Sequence, residues 1–165
     1  RAVDIVTMCR RVGVSVVQLH GTIHIRELSL LRAMFPDLSI IKSLIVSEKN
    51  QDALLSAVSR WSSLVDAFIA DTFDPVTGAS GATGRTHNWE TSRVLVECSP
   101  KPVYLAGGLS PHNVAQAIRA VHPWGVDCHT GVEGPDGRKD FSLVKVFVEE
   151  AKRALWEVEA LKNNF

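Results

Sequence analysis

The sequence of 165 residues lacks any long hydrophobic run, any excess of charge and any pattern of paired cysteines. Its longest apolar runs, such as residues 67–70, are far too short to cross the bilayer core of about 30 Å. Lysine plus arginine number 18, and aspartate plus glutamate also number 18. The zero net charge therefore gives no electrostatic reason to expect nucleic acid or a membrane surface as a partner.

The three cysteines, Cys9, Cys98 and Cys128, are odd in number and show no C-x-x-C spacing. Such a pattern argues against both a disulfide framework and a zinc site. A reducing, cytoplasmic setting fits this cysteine usage best. With 45% hydrophobic and 22% charged residues, the composition is that of an ordinary globular protein, and the length predicts a single domain over residues 1–165.

Short apolar runs alternate with amphipathic stretches along the whole chain. Apolar runs bounded by turn residues predict strands over residues 14–19, 38–44, 67–70, 103–106 and 124–128. Helical spacing of apolar residues predicts helices over residues 2–12, 25–34, 47–61, 88–98, 113–121 and 141–161. This alternation predicts an α/β fold of consecutive βα units on a parallel sheet. The pattern alone does not distinguish a barrel from an open doubly wound sheet.

Most of the polar and glycine residues that suit a functional site lie at or just past the end of a predicted strand. In parallel α/β folds, this edge of the sheet is where active sites are built. The candidates at this edge are Gln18, His20, Asp71, Gly107, Gly108, Asp127 and Thr130.

Two of these strand ends, close together in sequence, contain glycines. Gly107 and Gly108 follow one strand and precede a Ser-Pro helix start, and Gly131 follows the next strand. Glycines at such a point let backbone N–H groups approach an anion at a helix N-terminus. Converging loops of this kind form the phosphate site of βα barrels, so the sequence predicts a phosphate site here. The alternative is that Gly107 and Gly108 form only a tight turn.

Two carboxylates are the candidates for acid–base chemistry. Asp71 directly follows a buried four-residue run, where a partly desolvated carboxylate suits general acid or base catalysis. Its alternative role is to cap the following loop through its own backbone. If the second carboxylate, Asp127, faces the site, strand alternation turns Cys128 towards the outer helices and His129 towards the site again.

The strand-end histidines, His20 and His129, are candidates either for the site or for hydrogen-bonded structural roles. A metal site built from His20, Asp71 and His129 lacks any recognisable ligand spacing, so no metal is predicted. The glycine-rich segment 78–84 is interpreted either as a mobile lid over the substrate or as a simple connection.

These features belong to a set of motifs that spans nearly the whole chain. The motifs are VQLHG at residues 17–21, IADT at 69–72, GRTHNW at 84–89, LAGGL at 105–109 with NV at 113–114, GVD at 125–127 with GVE at 131–133, and KD at 139–140. Together they closely resemble the phosphoribosylanthranilate isomerase family.

The resemblance implies a (βα)8 TIM barrel, of which this chain covers roughly strands four to eight with their helices. It implies an isomerase of tryptophan biosynthesis that converts N-(5′-phosphoribosyl)anthranilate to 1-(2-carboxyphenylamino)-1-deoxyribulose 5-phosphate. The reaction is an Amadori rearrangement with general acid and base catalysis, a small sugar phosphate as substrate, and no cofactor or metal. The first three βα units are expected to lie outside this sequence, which opens at Arg1 in a helical pattern.

The resemblance also implies roles for individual residues. Asp71 is expected to be the general acid that protonates the ribose ring oxygen, and Asp127 is expected beside the anthranilate amine. Gln18 and His20 are expected at the floor of the pocket. The N–H groups that bind the phosphate are expected from Gly107, Gly108, Thr130 and Gly131. Secondary candidates for the site are His129, Gly84 and Arg85.

Two of the chain's departures from the family pattern concern the catalytic base and the loop before Gly-Val-Glu. The family's general base is a cysteine in a Lys-x-Cys-Gly motif, which this chain does not contain. Where the family usually has two serines before Gly-Val-Glu, this chain has His129 and Thr130, which raises the question of an altered substrate preference.

These departures keep other interpretations open. The second interpretation is a divergent phosphate-binding barrel relative that binds a sugar phosphate without isomerising it. The third is another phosphate-binding barrel enzyme, for which a metal requirement would be the sign. Five βα units with two unpaired sheet edges also predict that this segment alone is either marginally stable or self-associating, and a homo-oligomer is the second of these alternatives.

Overall fold

The structure is a computed structural model that describes residues 1–47, 49–72 and 89–162. Within these ranges, helices and strands alternate. The helices are α1 (Ala2–Val12), α2 (Ile25–Met34), α3 (Gln51–Trp61), α4 (Trp89–Cys98), α5 (Val114–Val121) and α6 (Phe141–Lys162). The strands are β1 (Val16–Leu19), β2 (Ser39–Val46), β3 (Ala67–Thr72), β4 (Val103–Leu105) and β5 (Gly125–Val126), and a short 3₁₀ helix follows at Thr130–Val132. No helix in these ranges has the length and apolar character of a membrane span.

The five strands form one parallel sheet in the order β1-β2-β3-β4-β5. Sequence order and spatial order coincide because a connection containing a helix carries the chain from each described strand to the next. All carboxyl ends therefore lie along the same edge of the sheet. This arrangement confirms the predicted α/β fold of consecutive βα units.

Strand β3 is the centre of the sheet and is buried along its full length. Phe68 and Ala70 are fully inaccessible to solvent, and Leu95 of α4 and Ile118 of α5 are equally buried in the same core. Helix α6 packs against α5 on the outer layer. The apolar residues thus hold the strands rigidly, which positions the polar groups at their carboxyl ends.

Helix α3 begins later than the sequence predicted. The predicted start at Ser47 is wrong, because the helix begins at Gln51. The Asn50 side chain accepts a hydrogen bond from the N–H of Ser47 at 3.0 Å and donates one to the carbonyl of Ile45 at 2.8 Å. These two bonds stabilise a turn where the sequence pattern alone indicated the first turn of a helix.

Two predicted strand bounds also change. Strand β3 continues to Thr72 because Asp71 and Thr72 are still in register with Ile45 and Val46 of β2. Strand β5 is shorter than predicted, since it ends at Val126. The glycine-rich segment 78–84 and Asn88, the first residue of the helix predicted over residues 88–98, lie outside the described residues.

Gly107, just after β4, provides a test of how closely the strand ends pack. Its φ of 90° lies in the left-handed region, and an added Cβ would lie 1.8 Å from the Oγ1 of Thr72. We expect Gly107→Ala to lower the free energy of unfolding by about 2–4 kcal/mol, since overpacking adds to backbone strain. The matched control is Gly137→Ala, because Gly137 also has a positive φ of 73° but has no atom near its added Cβ. In urea unfolding, equal losses for the two variants would contradict this packing.

Candidate functional site

The carboxyl edge of the sheet contains a cavity that brings the predicted site residues together. It is lined by Gln18, His20, Asp71, Ala106, Gly107, Gly108, Leu109, Asp127, Cys128, His129 and Thr130. Of the predicted site residues that the structure describes, Gly131 alone is not among the lining residues. Two secondary candidates, Gly84 and Arg85, lie outside the described residues.

Asp71 is the most buried carboxylate of the cavity, with 6% of its surface exposed. Its Oδ1 accepts a hydrogen bond from the N–H of Thr72 at 2.7 Å. Its Oδ2 lies 3.5 Å from the Nε2 of His20, whose side chain is 43% exposed. The hydrogen bond from the Thr72 N–H to Oδ1 is the local capping interaction that was considered for Asp71. The other oxygen, Oδ2, is directed to the imidazole of His20. One carboxylate therefore has both a fixed orientation and an imidazole partner.

A hydrogen bond across the first two strands supports this part of the cavity. The Gln18 side chain donates from Nε2 to the Oγ of Ser43 at 3.2 Å. Gln18 aligns with Ile41 in the parallel register, and Ser43 lies two residues after Ile41 on β2. The side chains of Gln18 and Ser43 therefore project from the same face of the sheet. Ser43 is buried and was not predicted as a site residue. The sequence points to Ser43 only in that it is a small polar residue within an apolar strand.

Asp127 lies across the cavity on the loop after β5. Burial raises the pKa of this carboxyl, and the charge of Asp71 raises it further, while His129 and Lys139 act in the opposite direction. Asp127 nevertheless keeps contact with solvent, so the shift is moderated by screening. Asp71 is thus close enough to Asp127 for its charge to act on the ionisation of Asp127.

The loop after β4 presents backbone N–H groups to the cavity. Gly107 and Gly108 have positive φ angles of 90° and 62°. Asn113 fixes this loop, because its side chain donates to the carbonyl of Gly108 at 3.0 Å and accepts from the N–H of Ser110 at 2.8 Å. The N–H groups of Gly107 and Gly108 donate to no acceptor in the part of the chain that the structure describes. Two fixed, unpaired donors at a helix-preceding loop suit an anion.

The loop after β5 lies directly against the loop after β4. An added Cβ on Gly131 would lie 1.9 Å from the carbonyl oxygen of Leu109, so no larger residue fits there. Cys128 donates its thiol to the same carbonyl at 3.0 Å. Thr130, on this loop, lines the cavity, whereas Gly131 lies at the contact with the loop after β4. The two loops thus form one continuous wall.

The position of Cys128 corrects the expectation from strand alternation. Cys128 was expected to face the outer helices, yet it lines the cavity together with Asp127 and His129. The reason is that β5 ends at Val126, so the alternating geometry of a strand no longer applies to these residues. Burial raises the pKa of the Cys128 thiol, which therefore stays protonated at neutral pH.

No group of three histidine, cysteine, aspartate or glutamate residues in the described ranges is arranged to hold a metal ion. The carboxyl and imidazole groups of the cavity are suited to proton transfer, and the backbone N–H groups of Gly107 and Gly108 lie beside them.

A parallel βα sheet with a carboxylate and a glycine loop side by side at its carboxyl edge is the arrangement of an α/β protein of the TIM-barrel type. The family model for N-(5′-phosphoribosyl)anthranilate isomerase, a tryptophan-pathway enzyme, matches residues 2–150. The chain belongs to this family, and the resemblance stated from the sequence is confirmed.

Curated relatives agree with the family assignment. The chain is 39% identical over 160 residues to N-(5′-phosphoribosyl)anthranilate isomerase 2 of Methanosarcina mazei, covering 97% of this chain and 70% of the relative. It is 40% identical over 152 residues to the isomerase of Haloferax volcanii, covering 92% of this chain and 64% of the relative. The chain thus spans about two thirds of the length of the relatives that it matches.

Solved structures show the same fold. The isomerase of Thermotoga maritima superposes with a TM-score of 0.73 at 30% identity, covering 92% of this chain and 68% of that one. Another isomerase structure, solved with reduced 1-(o-carboxyphenylamino)-1-deoxyribulose 5-phosphate, gives a TM-score of 0.69 at 27% identity, covering 92% of this chain and 66% of that one.

The interaction between the two carboxylates can be measured directly. Because the charge of Asp71 helps to raise the pKa of Asp127, we expect Asp71→Asn to lower that pKa. The measurement is a pH titration of the carboxyl ¹³C signal of Asp127 by NMR. Asp52→Asn, which removes an exposed carboxylate from α3, is the matched control and should leave the titration unchanged. An unchanged pKa in Asp71→Asn would show that the two groups do not interact.

Proposed function

We propose that this chain contributes the catalytic acid and the phosphate site for the Amadori rearrangement of N-(5′-phosphoribosyl)anthranilate. The observation that carries the proposal is the position of Asp71 in one cavity with the fixed N–H groups of Gly107 and Gly108. The complex of a similar isomerase with a reduced carboxyphenylamino-deoxyribulose phosphate supports a sugar phosphate of this class as the ligand.

We further propose that β1 to β5 correspond to strands four to eight of the family's barrel, within one domain over residues 1–165. In TIM barrels, the phosphate site often uses the loops after the last two strands and a short extra helix. Here the converging loops follow β4 and β5, and the 3₁₀ helix Thr130–Val132 lies directly after β5. This correspondence supports the assignment of the N–H groups to the phosphate.

In the proposed reaction, Asp71 donates its proton to the ring oxygen of the ribose. The bond between that oxygen and C1′ breaks, the oxygen becomes a hydroxyl, and an iminium forms between C1′ and the anthranilate nitrogen. Loss of the proton from C2′ gives an enolamine, and tautomerisation gives the ketone. The sequence of steps is a net isomerisation and needs no oxidant or reductant. Asp127 is assigned to the anthranilate amine, and Gln18 and His20 to the pocket floor.

The base that removes the C2′ proton is not assigned to a cysteine of this chain. Cys9 lies on the buried face of α1, Cys98 is exposed at the end of α4, and neither lines the cavity. Cys128 reaches the cavity, but its thiol donates to the Leu109 carbonyl and its pKa is raised. This observation favours a second candidate function, in which the chain binds the sugar phosphate without isomerising it.

One variant tests the role of Asp71. We expect Asp71→Asn to reduce turnover of N-(5′-phosphoribosyl)anthranilate by at least about 10²-fold, because general acid catalysis contributes at least that much. Binding of ribose 5-phosphate should change little, since the phosphate donors lie on other loops. The measurements are anthranilate-fluorescence kinetics and calorimetric titration, with Asp52→Asn as the control.

Each outcome of this test distinguishes the candidates. Full activity in Asp71→Asn would show that the acid assignment is wrong. Binding of ribose 5-phosphate by the unaltered chain without any turnover would support the second candidate function. Absence of both binding and turnover would contradict both candidates.

We propose that the chain acts in the cytoplasm and self-associates through its first helix and strand. Met8 and Val12 of α1 are each 67% exposed, and Val14 and Val16 expose further apolar surface next to them in sequence. Clustered exposed apolar side chains at a sheet edge favour association. One of the similar structures is of monomers generated from the dimeric isomerase of Thermotoga maritima, so that relative is itself a dimer before alteration.

The double variant Met8→Gln with Val12→Gln tests this surface. Glutamine keeps helix propensity but removes apolar area, so we expect weaker association without loss of the helix. Sedimentation velocity over a range of concentrations measures the change. Trp156→Gln, at an exposed apolar position of α6, is the control. A concentration-independent monomer for the unaltered chain would contradict the proposal.

A further inference from the structure

His129 occupies a distinctive position at the rim of the cavity. It lies between β5 and the 3₁₀ helix Thr130–Val132, lines the cavity, and has a side chain that is 61% exposed. Its Nδ1 lies 3.3 Å from the Oε1 of Glu133. No residue in the described ranges forms a hydrogen bond with its Nε2. One ring nitrogen is therefore held by a carboxylate while the other remains available.

Glu133 is itself held in place by Lys139. The Nζ of Lys139 lies 2.7 Å from the Oε1 of Glu133 and also donates to the carbonyl oxygen of His129 at 2.7 Å. The hydrogen bond from Lys139 lowers the pKa of Glu133, so this carboxylate stays ionised through the range in which an imidazole titrates. The lysine charge is thus already engaged by Glu133, and the imidazole ring receives a fixed orientation.

The other charged groups of the cavity disfavour an anion. Asp71 and Asp127 are carboxylates, and the imidazole of His20 is directed to Asp71. The N–H groups of the two loops are neutral donors, which cannot offset a carboxylate charge by themselves. His129 is close enough to Asp127 to act on its ionisation. His129 is therefore the basic side chain of the loop after β5 that lines the cavity and keeps one ring nitrogen without a partner in the described residues.

We propose that His129 is a phosphate ligand whose protonated ring makes anion binding at this cavity depend on pH. The proposal rests on the proposed phosphate site and assigns a charged side chain to it. The imidazolium donates from Nε2 to a phosphate oxygen, and its Nδ1 donates to Glu133. Charge-assisted hydrogen bonds of this kind are stronger than those from neutral donors. Binding is therefore tight when the ring is protonated and weakens as pH rises and the ring becomes neutral.

Sulfate is the appropriate probe, because it stays dianionic where phosphate itself changes charge. By calorimetric titration of the full chain, we expect sulfate affinity to fall about tenfold between about pH 5.5 and about pH 8. His129→Asn should bind at all pH values about as weakly as the unaltered chain does at high pH. Any pH dependence left in that variant belongs to His20 and Asp127, the other titratable groups of the cavity.

His122→Asn is the matched control. His122 follows α5 at the opposite end of the sheet, is exposed, and has a φ of 55°, which asparagine also accepts. This variant should keep the pH dependence of the unaltered chain. A ¹⁵N spectrum of the unaltered chain provides a second measurement, since added sulfate should shift the Nε2 signal of His129.

The outcomes separate this inference from the proposed function. If the unaltered chain and His129→Asn bind sulfate equally at every pH, the role of His129 is overturned while the phosphate site stands. If neither protein binds sulfate or ribose 5-phosphate at any pH, the phosphate site itself is overturned, and the role of His129 with it. An Nε2 signal that does not move at saturating sulfate also overturns the role of His129.

Discussion

The close contact between Gly131 and the carbonyl of Leu109 is the constraint on which the site depends. An added Cβ would lie 1.9 Å from that oxygen, so the two final strand-end loops meet backbone to backbone. The Cys128 thiol donates to the same carbonyl, and Asn113 holds the preceding glycine loop from the other side. With the glycine loop fixed, the N–H groups of Gly107 and Gly108, which have no acceptor among the described residues, need no reorganisation to receive the proposed anion.

The sequence predicted the sheet well because the strands depend on local apolar runs. The predictions from the sequence are wrong where a specific side-chain contact or a strand end overrides the periodicity of apolar residues. Asn50 delays α3 by hydrogen bonds to its own loop, which apolar periodicity does not register. Strand β5 ends at Val126, so Cys128 reaches the cavity although alternation turned it outwards. Strand ends are the positions where tertiary contacts outweigh local preference.

The site could be predicted to the extent that it follows from the topology. Parallel strands place every carboxyl end at one edge, so residues as distant in sequence as Gln18 and Thr130 meet in one cavity. The pairings within the site depend instead on side-chain geometry. The bond from Gln18 to Ser43 crosses two strands, and the contacts of Glu133 with His129 and Lys139 depend on the turn between them. No periodicity in the sequence encodes those contacts.

The distribution of charge accommodates both carboxylates and the proposed phosphate site in one cavity. Asp71 is buried beside an imidazole at the β3 end, and burial favours the protonated form of Asp127. The backbone donors and the His129 ring stand on the two converging loops, so the favourable interactions for the phosphate are concentrated there. Acid chemistry and anion binding are thereby compatible within one site because different strand ends supply their groups.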